Sequence, residues 1–245
     1  MIALFNEIIY RPLLNLLFLV YNNTWADLGI AIVIVTVIIR TILLPLFYKS
    51  AKDQTIMQKI APRIREIQQE HKENKEKQVQ EIMNVYKEHK VNPFAGFLLL
   101  FIQLPILIGL YQVFFKGFSQ DVLDKLYTFI AHPTVINYSF LGVFDLSKKS
   151  VVLVVMAAVA QYIQSALLFG VAKKNRDPKK ELSTTERVSK QMMVVGPLLT
   201  IVILYNLPSA IAIYWLTTSV FSVIQQIVIN RKINKDNEKN TGDSN

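Results

Sequence analysis

Five stretches of the chain, Leu28–Phe47, Pro93–Phe115, Ser150–Val171, Met192–Leu207 and Ser209–Ile229, are apolar almost without interruption. A helix of about 20 apolar residues crosses a hydrocarbon core of roughly 30 Å. Backbone groups buried in lipid must be satisfied within the segment, so these stretches predict helices rather than strands. Alternation with period two, which a membrane barrel requires, is absent. The pattern therefore predicts an all-α, polytopic membrane protein with five transmembrane helices. Met192–Leu207 is the short one, at about 24 Å by the helical rise. Either it borrows residues from Val188 onward or the bilayer is thin beside it.

The polar stretches between the spans divide into different kinds. Met1–Tyr21 is apolar but interrupted by Asn6, Glu7, Arg11, Pro12 and Asn15. It lacks the basic start and small-residue site of a cleaved signal peptide. Residues 1–27 read as an amphipathic segment lying on the membrane, with a sixth span as the alternative. In residues 48–92, Ile56, Ile60, Ile64 and Ile67, then Val79, Ile82, Met83 and Tyr86, recur at helical spacing around a charged HKENKEKQ turn. That pattern predicts a narrow-striped, mobile helical hairpin. Loop 116–149 mixes aromatics with Asp121, Asp124 and Asp145, and VINYSFLGVF within it is apolar enough to lie in the membrane interface. Loop 172–191 reads as flexible, and 232–245 as a short disordered tail.

Charge orients this arrangement. Of the 27 Lys and Arg, Lys49–Asn92 holds ten, Ala172–Gln191 seven and the segment after Asn230 four, against five on the other side of the spans. Positive loops stay in the cytoplasm. The hairpin and C-terminus are thus expected inside, and with five spans the N-terminus outside. The net charge of +9 is a membrane-topology signal, with nothing in the sequence that reads specific nucleic-acid bases. There is no cysteine, and the three histidines are scattered, so no metal or cofactor site is expected.

No phosphate loop, nucleophile elbow, HExxH or intramembrane carboxylate pair is present, so an enzyme is not expected. What stands out is Arg40, the one charged residue inside the five spans. None of them contains Asp or Glu. A charge at this depth is costly and normally marks function. Snorkelling toward the cytoplasmic end is the plainer explanation. Thr36 shares the Arg40 face one turn earlier. Gln103 and Gln112 lie in the second span, Gln161, Gln164 and Ser165 in the third, and Tyr214, Trp215, Thr217, Thr218, Ser219, Gln225 and Gln226 in the fifth. Singly, each suits helix packing. Together they suggest a wet surface.

The segments IVIVTVIIRTILLPL (Ile32–Leu46), VNPFAGFLLLFIQLPILIGLYQVFF (Val91–Phe115) and SAIAIYWLTTSVFSVIQQ (Ser209–Gln226), with the basic hairpin between the first two, resemble the YidC/Oxa/Alb family of membrane protein insertases. The likeness runs from Trp25 to Arg231, and the chain is similar to the short form without a large extracytoplasmic domain. It implies a five-helix core around a hydrophilic groove open to cytoplasm and lipid. Within residues 93–231 it places the second to fifth spans. The groove arginine falls on Arg40, its polar neighbour on Thr36 and the aromatic pair on Tyr214 and Trp215. A third-span methionine contact falls on Met156, and groove amides on Gln103 and on Gln161 or Gln164. The implied function is Sec-independent insertion and folding of newly made membrane proteins in a bacterial plasma membrane. Nascent membrane proteins would be the clients, with the ribosome and signal recognition particle machinery met through the basic loops, and the Sec translocon as a further partner. A small channel or transporter using the same hydrated cavity is the alternative.

Overall fold

The computed structural model describes residues 2–115, 118–169 and 184–242. The described chain is mostly helical, with one two-stranded turn inside the irregular segment that precedes α8. Its elements are α1 (Ile2–Phe5), a π-turn (Asn6–Tyr10), α2 (Arg11–Asn23), α3 (Leu28–Ile42), α4 (Leu44–Glu70), α5 (Lys75–Glu88), α6 (Ala95–Phe115) and α7 (Gln120–Leu123). Strands β1 (Ser139–Phe140) and β2 (Phe144–Asp145) follow, then α8 (Val151–Phe169), α9 (Thr184–Tyr205) and α10 (Ser209–Gly242). Four of the five apolar stretches each fall almost wholly within one helix, and the first, Leu28–Phe47, is shared between α3 and α4. By length and composition three helical stretches are apolar enough to cross a membrane, Ala3–Asn23, Val151–Leu168 and Ser209–Lys232, or four if the helices either side of Leu43 form one broken span. The protein is an all-α, multi-pass membrane protein.

Several boundaries differ from the sequence reading. The first span does not run unbroken to Phe47: its helix stops at Ile42 and α4 starts at Leu44, just before Pro45. Pro45 has no N–H to give and disfavours helical backbone at the residue before it. The fourth helix is 22 residues rather than 16 because it begins at Thr184, inside the loop read as flexible. The remainder of that loop, up to Ser183, lies outside the described residues. The tail read as disordered is helical as far as Gly242. RKINKDNEKN contains no Gly or Pro, so nothing in the local sequence stops the helix before Thr241-Gly242.

The chain forms two compact units. The first comprises residues 1–43, 100–161 and 197–221. Its core gathers Tyr10, Leu14, Leu17, Phe18 and Tyr21 from the N-terminal helix, Leu28, Ala31, Ile32 and Val35 from α3, and Leu110 and Val113 from α6. Leu153, Val154 and Ala157 of α8, Leu204 of α9 and Ala210–Tyr214 of α10 complete it. Ala31, Ala157, Ala210 and Ala212 are buried within this core. Loop 118–149 adds Val122, Leu123, Leu126, Ile130 and Leu146.

The N-terminal helix is bound to that loop along its length. Asn15, buried, donates to Lys125 O at 3.2 Å and accepts from Tyr127 N. Arg11 Nε also reaches Lys125 O at 3.2 Å, Asn22 donates to Ala131 O at 2.8 Å, and Tyr21 Oη accepts from Asn137 N at 2.7 Å. Two of the interruptions in this segment's apolar pattern, Arg11 and Asn15, are among the groups that fasten it.

The second unit comprises residues 44–99, 162–196 and 222–245. Ile60, Ile64, Ile67, Val85 and Val91 make its apolar core, joined by Ile56, Met57, Ile82 and Tyr86. The hairpin forms as the spacing predicts, with its turn at residues 71–74, where Asn74 accepts from Lys77 N at 3.0 Å to cap α5. Val79 and Met83, expected on its inner stripe, are exposed instead. Gln78 occupies the inner face, donating to Gln68 O at 2.9 Å and so capping the end of α4. One amide at the helix end outcompetes the outer part of a weak apolar stripe.

Candidate functional site

Polar side chains of α3, α6, α8, α9 and α10 in the first unit meet around Tyr214 and Trp215. Arg40 ends α3, with 7% of its surface exposed, and interacts electrostatically with Tyr214 of α10. The Tyr214 hydroxyl, itself buried, accepts from Gln103 Nε2 of α6. On α8, Gln161 Oε1 accepts from Trp215 Nε1 of α10 at 2.8 Å and from Thr200 Oγ1 of α9. Consecutive residues on α10 thus face different partners: Tyr214 turns to α3 and α6, Trp215 to α8 and, through the shared amide, to α9. The helix period of 100° per residue makes this division possible.

Arg40 and Gln103 thus meet at Tyr214, and Gln161 meets Trp215, the next residue of α10. Thr36 lies on the same helix one turn before Arg40, but its hydroxyl donates to Ile32 O at 2.6 Å within α3. That bond satisfies the donor and leaves only a lone pair to offer. Met156 does not join the polar layer. It is 46% exposed, on an apolar α8 face with Val152, Val155 and Val159. Gln164 lies on α8 in the second unit and is half-buried. Of the two candidate amides on α8, Gln161 is the one in this layer.

Thr200 was not singled out from sequence. The available signal was its isolation, as the one hydroxyl within VVGPLLTIVIL. It is 2% exposed. A lone hydroxyl amid aliphatic residues of a membrane helix needs an acceptor, and Gln161 supplies one.

A second polar group lies in the other unit. Gln226 Nε2 donates to Thr55 Oγ1 at 3.1 Å and to Asn230 Oδ1 at 3.0 Å, while Asn230 Nδ2 reaches Leu167 O at 3.4 Å. Lys232 Nζ stands over the Tyr48 ring at 5.8 Å. Asn92 N donates to Asp53 at 3.4 Å, closing the base of the hairpin. These bonds hold α4, α8 and α10 together on the side of the basic hairpin.

Residues 19–237 match the family model of the 60Kd inner membrane protein. The chain belongs to that family. Its relatives include a protein of Fusobacterium nucleatum named membrane protein insertase YidC, 33% identical over 228 residues that cover 91% of this chain and 98% of the relative. A Clostridium tetani protein of the same name is 33% identical over 223 residues, covering 90% of this chain and 89% of the relative. A third, from Citrifermentans bemidjiense, is 30% identical over 227 residues, and there the chain covers 37% of a longer protein. Every residue of the polar layer falls inside the span that the family model matches.

Proposed function

We propose that this protein is a membrane protein insertase, and that the layer around Arg40 is a hydrated groove that receives the polar flank of an incoming segment. The observation that carries the reading is that α3, α6, α8, α9 and α10 each contribute a polar side chain to the contacts around Tyr214 and Trp215, with the Arg40 guanidinium among them and no Asp or Glu in the five apolar stretches. Moving a short polar flank through hydrocarbon costs several kcal/mol per unsatisfied group. Amides, hydroxyls and the water they hold replace the flank's hydration during passage. Arg40 adds selectivity for acidic flanks, because charge attraction strengthens as the dielectric falls. The apolar segment meanwhile moves along the exposed α8 face of Val152, Val155, Met156 and Val159 and past Trp215 into lipid. No covalent step is involved, and apolar burial in the bilayer supplies the drive.

The charge bias puts the hairpin, the basic loop before α9 and the C-terminus in the cytoplasm, where they meet the ribosome and targeting machinery. The N-terminal helix then lies against the opposite membrane surface. Its bonds to loop 118–149 from Arg11 to Asn22 run along its length, which suits a helix lying beside that loop.

Reconstitution of the purified protein with a small, acidic-flanked single-span substrate tests the reading. Nucleotide-independent acquisition of protease protection by the flank is expected. Ion or solute flux without substrate, and no insertion, would instead assign a channel. Crosslinks to Trp215 with no insertion by the purified protein would assign a folding chaperone acting after the Sec translocon.

A further inference from the structure

We propose that the corner at Asp27 is a membrane wedge. Trp25 and the hairpin tip Leu141–Val143 seat in the boundary between headgroups and acyl chains, in the leaflet at the N-terminal end of α3. This goes beyond insertion and does not depend on it.

The first observation is exposure. Trp25 is 90% exposed, Leu141 63% and Val143 74%. Loop residues with a place in the core take it: Leu126, Ile130 and Leu146 are buried. The three wedge residues are held away from it.

The second observation is how they are held. Trp25 (φ 46°), Ala26 (φ 52°) and Leu141 (φ 55°) are non-glycine residues with left-handed backbone. That conformation persists only where surrounding contacts enforce it. The Asp27 carboxylate enforces both turns at once. Oδ1 accepts from Ile30 N at 2.9 Å, capping α3, and Oδ2 accepts from Leu141 N at 2.7 Å. Directly behind the tip, the Phe140 ring lies on Gly29 so closely that a Cβ there would sit 2.3 Å from it. The hairpin is seated on the first turn of α3 with no slack.

The third observation identifies the occupant. The corner is continuous with a membrane helix: α3 begins at Leu28, three residues after Trp25. The start of a span lies at the membrane interface, where Trp is enriched because its ring is amphipathic. Lys148 and Lys149 follow the tip; Lys148 pairs with Asp145, and Lys149 supplies a cation that complements anionic headgroups. A lipid interface fits all three facts, since a scattered pair of apolar prongs offers too little area for a stable protein–protein contact. The consequence is a fixed depth. Arg40 lies twelve residues beyond Leu28, about 18 Å along the helix, so a corner locked to the leaflet sets how deep the arginine sits.

The chain has two tryptophans and no cysteine, which makes the test direct. In Trp215→Phe, Trp25 is the sole emitter, and the readout does not require insertion activity. In phosphatidylcholine–phosphatidylglycerol vesicles, lipids brominated near the headgroup should quench Trp25 more than lipids brominated near the chain end, with little quenching by aqueous acrylamide. Water-like acrylamide quenching with no effect of brominated lipid overturns the proposal. So does quenching protection that appears only as the protein-to-lipid ratio rises, since a second copy would then cover the site. Val143→Cys, carrying an environment-sensitive fluorophore, reads the other prong in the natural background. It should also be quenched by shallow bromines, and water-like emission there overturns the hairpin's part.

Discussion

The two units of this protein each enclose a group of polar side chains, but they use them differently. In the hairpin unit the amides act as fasteners. Gln78 caps the end of α4, Asn230 bonds a main-chain carbonyl of α8, and Asp53 closes on Asn92 N. In the layer around Arg40 the bonds run from side chain to side chain, Gln103 to Tyr214, and Thr200 and Trp215 to Gln161, a pattern that the hairpin unit shows only at Gln226 among the bonds described above. A side chain spent on a carbonyl at a helix end secures the backbone and cannot be traded. Side chains bonded to one another can exchange partners with water or with a passing flank at small cost, because each exchange replaces one bond by another. The first arrangement belongs to a scaffold and the second to a surface that handles a guest.

Arg40→Ala should break this contrast most clearly. Removing the charge from the exchangeable layer should lower insertion of acidic-flanked substrates roughly tenfold, about 1.4 kcal/mol, while Arg40→Lys retains most activity. Equal losses for acidic and neutral flanks would show that the charge does not select. The matching change in the scaffold is Ile67→Ala, at a side chain that is 1% exposed. Loss of its packing should cost the hairpin about 2–4 kcal/mol and speed tryptic cleavage at Lys72 and Lys75. Thermal stability of the Arg40 unit should stay unchanged. Joint loss of both would show that the two units do not fold separately.

Gln161→Leu sharpens the comparison further. It removes the acceptor of both Trp215 and Thr200, yet intramembrane side-chain bonds average only ~0.6 kcal/mol each. Melting should therefore move little, while Trp215 emission shifts and insertion falls. A large drop in melting temperature with unchanged Trp215 emission would make Gln161 a fastener like Gln78.

The sequence patterns were most informative where physics leaves one solution. Each apolar stretch had to become a helix, and Arg40 had to find polar company. Legibility failed where competition between local options decided. Val79 and Met83 fitted the hairpin stripe as well as Gln78 did not, yet α4 needed its last carbonyls bonded and the amide won. Thr200 was overlooked because a single hydroxyl carries no periodic signal; only the facing helix reveals its acceptor. The helical tail was missed because high polarity suggests solvation and says nothing against helix propagation from a stable span. Thr36 was legible as a member of the Arg40 face, but not that its hydroxyl is turned back onto its own helix.

The smallest predicted effect provides a reference for both units, an exposed polar cluster outside the apolar stretches. Asp145, the exposed last residue of β2, accepts from Ser147 Oγ at 2.6 Å and Ser147 N at 3.0 Å, and pairs with Lys148 Nζ at 2.9 Å. The Ser147 hydroxyl, then Lys148 and the Ser147 N–H, lower its pKa from 3.8 to about 2, and the same pair raises that of Lys148. A depressed carboxylate contributes stability above its unfolded value and loses it as pH falls through the folded one. The turn should therefore be insensitive to pH from neutrality down to about 4, then loosen toward about 2. Lys148 adds the mirror-image limit, lost only above its raised value. Exposure and salt screening keep the contribution small. Carbon-13 titration of the Asp145 carboxyl in micelles reads the midpoint directly, and Ser147→Ala should return it toward the ordinary carboxylate range. A midpoint near 3.8 in the parent protein would mean that solvent dissolves this cluster. Polar groups here would then hold geometry only when enclosed, as those around Gln161 and Gln226 are.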